Sequence, residues 1–235
     1  MSIADTIRQR AANFAPFASL APFVTTIDRA LSVHETAIAA RDAVAKNGNL
    51  TALGRVAEMR SHTATQAAPH LFQCQKAIEL LTAKTAALRA SLGPPAPDAA
   101  TAALRAEARG MLRSLQTVAE RAALLTGEKV PELMRDAALE TPAVMSGITE
   151  QIRSEIIDVY IEKHNAVALR RVEQTEEALR LTVAAVETAS ATLRASGEFP
   201  TDAALGEFIG TSMGKEKAAA ITTGVGQEFA GALQT

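Results

Sequence analysis

Apolar side chains recur along this chain at spacings of three and four residues, and no stretch sustains the alternation of a strand, so the pattern predicts helix nearly throughout. Breakers divide it: Asn47-Gly48-Asn49, Gly93-Pro94-Pro95-Ala96-Pro97, Gly127, Thr141-Pro142 and Ser196-Gly197 supply the stops and starts. A first helix is expected over Ser2 to Asn13, followed by an apolar segment interrupted by Pro16 and Pro22. The second, Pro22 to Lys46, carries Val24, Ile27, Leu31, His34 and Ile38 on one stripe, and Gly48 suits its C-terminal cap.

A third helical region spans Asn49 to Leu92 and contains Pro69, which removes one backbone hydrogen bond and should kink or divide it. Beyond the proline, Leu71, Cys74, Ile78, Leu81, Thr85, Leu88 and Leu92 form its stripe. The fourth helix opens at Asp98, a good N-cap. Its heptad seam reads Leu104, Ala108, Met111, Leu115, Val118, Ala122 and Leu125, leaving Arg105, Arg109, Arg113, Glu120 and Arg121 outside. A short helix follows from Pro131 to Glu140.

From Pro142 to Ser196 there is no internal proline and one glycine, Gly147, which predicts one very long helix over 142–196. At 1.5 Å per residue it would run roughly 80 Å, more than a compact globule of this size can cover. Its stripe is Ile157, Ile161, His164, Ala168, Val172, Thr175, Leu179, Val183, Val186, Ser190 and Leu193. The expected fold is therefore all-α: an elongated antiparallel bundle with coiled-coil-like seams and short terminal helices. Three segments are expected: an N-terminal helix and Phe/Pro apolar strap over 1–27, a helical bundle over 28–196 with a linker at 93–97, and a glycine-rich docking tail over 197–235.

The two ends carry the most distinctive wording. Phe14-Ala15-Pro16-Phe17 is echoed by Leu20-Ala21-Pro22-Phe23, and Gly206-Glu207-Phe208-Ile209-Gly210 by Gln227-Glu228-Phe229-Ala230-Gly231. Gly206, Gly210 and Gly214 sit four apart, which on one helix would align three positions without side chains and admit a second backbone closely. Phe14, Phe17, Phe23, Gly206, Phe208, Gly210, Gly214 and Phe229 are accordingly the candidate residues for contact with further copies or a partner.

Composition sharpens the picture. Of 235 residues 50 are Ala and 23 Thr, with seven Phe, one Tyr and no Trp, so close-packed helices fit better than an aromatic-walled substrate pocket. A net charge of -2 gives no reason to expect nucleic acid. The halves before and after Pro97 nevertheless carry +4 (10 basic, 6 acidic) and -6 (14 basic, 20 acidic). The longest charge-free stretch, Ala11 to Ile27, is too short and too broken to span a membrane and lacks an export cleavage pattern. A cytoplasmic location, or one inside an assembled particle, is the expectation.

Catalytic machinery is not legible. The lone Cys74 lies on an apolar stripe, His34 and His164 lie on helical stripes, and no phosphate loop or paired carboxylate presents itself. No catalytic, cofactor or metal residue is assigned. The function expected is non-enzymatic: a structural or assembly protein acting as a homo-oligomeric helical component of a larger particle, such as a phage virion. A membrane-active helical protein using the strap and the Gly/Phe tail is the first alternative. A ligand- or metal-binding bundle around His34 and His164 is the second.

Overall fold

The computed structural model of the chain describes residues 2–93, 98–127 and 129–230. Gly93 apart, the predicted linker 93–97 lies outside the described residues, as do 231–235 of the tail. The described residues are all-α, with no strand among them. The helices are α1 (Ile3–Ala11), α2 (Ala21–Lys46), α3 (Ala52–His62), α4 (Ala68–Ser91), α5 (Ala102–Ser114), α6 (Val118–Thr126), α7 (Glu132–Leu139), α8 (Ala143–Ser146), α9 (Glu150–Ser196) and α10 (Asp202–Ala230). Their N-termini follow local chemistry. Ser2 with Asp5 and Thr117 with Glu120 close reciprocal capping boxes on α1 and α6, and Thr51 caps α3 by accepting from Gly54 N.

The helices pack into two compact units, one of Met1–Ala86 with Gln174–Thr235 and one of Ala87–Glu173. The predicted segments 1–27 and 197–235 both fall in the first. Its core joins Ile7, Phe14, Phe23, Ile27, Leu31, Leu71, Leu81, Leu181, Leu193, Leu205 and Ile209. Alanines interleave: Ala30, Ala37, Ala68, Ala178, Ala185 and Ala189 are fully buried, which lets helix backbones approach closely at the expense of apolar area per contact. Two 3₁₀ turns, Ala12–Phe14 and Ala18–Leu20, fold the proline-interrupted strap onto this core.

Between α3 and α4 the chain stays helical through a π-turn, Thr63–Ala67, in which Ala68 N–H reaches back to Thr63 O. Pro69 has no hydrogen to give Thr65 O, and its ring would crowd that carbonyl; one wide turn relieves both without ending the helix. The corner from α9 to α10 is closed by Arg60, whose Nε donates to Gly197 O at 2.9 Å while the guanidinium lies 5.0 Å over the Phe199 ring. A Cβ on Gly197 would sit 2.4 Å from that ring, so the corner requires glycine.

The second unit has a smaller core, built on Leu112, Leu125, Ala138, Ala143, Ile148, Ile152 and Ile156. Arginines reinforce it by donating to carbonyls at helix ends and turns. Arg121 reaches Leu112 O (2.9 Å), Leu115 O (2.6 Å) and Gly147 O (2.8 Å). Arg135 reaches Leu125 O and Gly127 O, and Arg153 reaches Leu139 O and Thr141 O. Arg105 donates to Asp98 O and, together with Arg109, to the Glu140 carboxylate.

Three sequence expectations are corrected. The fourth helix does not run through Leu115; that residue is extended (φ -66, ψ 137), and Thr117 starts α6 afresh. The face α5 buries is Arg105, Ala108 and Leu112, while Leu104 and Met111 of the predicted seam are 53% and 59% exposed. The long helix is present as α9, but it starts at Glu150, because Gly147 ends α8 and Ile148-Thr149 separate the two. It also carries a non-helical residue at Asn165 (φ -154, ψ 56), in the exposed run 162–167 where no core holds the ladder in register.

Candidate functional site

The residues singled out as contacts divide sharply. Phe14, Phe23 and Phe229 are buried inside the chain's own first unit, so they offer no surface to a neighbour. Phe208 is partly buried, with its ring 5.0 Å from that of Phe199 at the α9–α10 corner. Phe17 is exposed. The tail docks on its own bundle, but through Leu205, Ile209, Met213, Val225 and Phe229 rather than through glycine. Glu228 holds it there by accepting from Arg29 (3.1 Å) and Gln73 (3.4 Å), and Lys84 donates to Phe229 O (3.3 Å).

Gly206 and Gly210 point away from that core, and a Cβ at either would meet nothing within 4 Å. Gly214 does not extend their face. It interrupts α10 with φ 67 and ψ 164, a combination open to glycine and strained for any other residue. The three-glycine stripe is therefore a two-glycine face followed by a bend.

The polar candidates are engaged structurally. His34 Nδ1 lies 2.8 Å from Thr192 Oγ1, tying α2 to α9. His164 is exposed rather than part of a seam, with its ring 4.4 Å from Tyr160 and its Nε2 3.3 Å from Glu132 Oε1. Burial pushes the Cys74 thiol up to about 12, with its sulfur against Thr26 O. Among the described residues no three His, Cys, Asp or Glu side chains gather as a metal site would require, and no helix is long and apolar enough to cross a membrane.

What periodicity missed is how many large apolar side chains the second unit exposes. Eleven large apolar side chains are exposed among the described residues; Ile3, Phe17 and Leu53 lie in the first unit, and the other eight lie in the second. Leu104 and Met111 on α5, Val118 and Leu124 on α6, and Val144 and Met145 on α8 are six of them. The heptad was legible, but its orientation was not, because the aliphatic stem and carbonyl-directed head of Arg105 fill the inward position that a leucine was expected to hold. Comparison with protein-family models, curated proteins and solved structures finds no match to this chain.

Proposed function

We propose that the chain is a non-enzymatic structural protein that assembles with further copies of itself through the outward apolar face of residues 87–173. The observation that carries this reading is the concentration of eight exposed large apolar side chains in a unit of 87 residues, where single scattered ones would need no explanation.

Charge does not oppose this. The second unit holds 11 basic and 12 acidic residues, a net of -1, and the remainder 13 and 14, again -1. Copies so close to neutrality repel one another weakly. A helical component of a larger particle, for example a virion, is the setting that such an assembly fits. Replacing Leu104 and Met111 together by Glu tests the face directly: both are exposed, so helicity should persist while the mass in solution falls. An unchanged oligomer would remove the face from the account.

A further inference from the structure

The π-turn at Thr63–Ala67 alters which side chains share a face. Eight residues of regular helix would set His62 and His70 roughly 80° apart, but the one residue the wide turn absorbs leaves them offset as at i, i+7, within about 20°. His62, Gln66 and His70 thus form one polar wall. On the facing helix α2, Thr25, Arg29, Ser32 and Thr36 form the other at spacings of four, three and four, with Val33 between. The walls line an open cleft of about 470 Å³ within the first unit.

Its chemistry has one sign. The lining contains a guanidinium, two imidazoles, three hydroxyls and an amide, and no carboxylate. Arg29 gives Nη2 to Glu228 Oε1 at 3.1 Å, while its Nη1 is buried with no hydrogen-bond partner. His62 Nε2 is likewise buried and unpartnered. Two such nitrogens beside one cavity are unusual, since buried polar atoms are almost always paired. A permanently charged guanidinium with a free nitrogen is suited to an oxyanion.

We propose that this cleft is a binding site for a small oxyanion, a phosphate or carboxylate group, held by Arg29 Nη1 and His62 Nε2 with the wall hydroxyls and Gln66 around it. The cleft is open to solvent but neither nitrogen is, so a ligand in it reaches them by a shift of exposed lining side chains such as Gln66 and His70. The volume exceeds a bare phosphate and leaves room for a small body attached to it. No Phe, Tyr or Trp side chain lines the space and seven of its eight lining residues are polar, so a small polar body fits it better than a stacked base.

Histidine-ring NMR on the full-length chain tests this, with sodium phosphate and sodium succinate titrated separately against sodium chloride at matched ionic strength. The chain's four histidines supply internal controls, because His34 bonds Thr192 and His164 stacks on Tyr160. Saturable movement confined to His62 and His70 is expected. A response to phosphate alone identifies a phosphate ligand, and one to succinate alone a carboxylate. Ser32→Asp and, on the opposite wall, Gln66→Glu each place a carboxylate at an exposed position and should weaken binding about tenfold or more without changing helicity. The proposal is overturned by equal drift of all four rings, by no saturable response to either anion, or by folded variants that bind as wild type does.

Discussion

Single residues decide most of what this chain keeps inside and what it shows. In an alanine-rich sequence the few phenylalanines are the largest fillers available, so Phe14, Phe23 and Phe229 close gaps that methyl groups leave open. That is why residues whose repeats suggest docking devices belong to the core: repetition marks both uses equally, and nothing in local sequence separates them. Cys74 was legible from its stripe alone, Leu71 and Leu81 being buried with it. With its thiol pushed up to about 12 by burial, it should stay unmodified by a thiol-reactive dye in native protein near neutral pH and react at once in denaturant. Rapid labelling of the folded chain would contradict that placement. The two kinds of glycine in α10 separate equally cleanly. Gly210→Ala should raise thermal stability, because helix propensity favours alanine by about 1 kcal/mol and the site is open. Gly214→Ala should lower it, because alanine is strained at φ 67. Melting curves of the two variants moving in the same direction would refute the bend at Gly214.

Elements were legible wherever a cap or breaker stands in the sequence. Thr117-x-x-Glu120 is a capping box, a local signal for a new helix start that outweighs the heptad running across it. Pro69 is expected from sequence to kink or divide its helix; the chain instead stays helical through one wide turn, a choice that rests on tertiary packing around Thr63 and Ala67. The polar stripe 62/66/70 is invisible to a search at regular helical period for the same reason. Interhelical ion pairs were equally out of reach, and one has a measurable consequence. Hydrogen bonds from Arg105 and then Arg109 hold the Glu140 carboxyl below its ordinary 4.5. A lowered acid stabilises the fold above its unfolded value and loses that contribution as pH falls through the folded one. Asp136, raised above 3.8 by burial, works in the opposite direction, so the comparison must be made against Glu140→Gln. Tyr160, the only tyrosine, sits in the second unit, and no tryptophan competes with its emission. Urea midpoints read from it should fall on acidification below 4.5 in the wild type, with a shallower slope in Glu140→Gln. Equal slopes would remove the Arg105–Glu140–Arg109 cluster from the unit's stability.

At the scale of the whole molecule, the all-α class followed from periodicity, because a period near 3.6 survives errors in the position of any one residue. The division into two units did not follow, because α9 contributes to both and its apolar stripe passes through Asn165 with little change in composition. Nor did the orientation of the α5 face, which is set by arginines that complete helix ends at Asp98, Leu112, Leu115 and Gly147. The structure also changes how assembly is to be tested. Truncation before Gly206 would remove Ile209, Met213, Val225 and Phe229 from the core and unfold the first unit with the tail, so surface substitutions are the cleaner instrument. The central claim is that the exposed apolar face of 87–173 is covered by further copies of the same chain. Light scattering of the untagged full-length protein over a range of concentrations tests it most directly. The account predicts a mass above the 24.7 kDa of one chain, either discrete or growing with concentration. A mass of one chain at every concentration would contradict it.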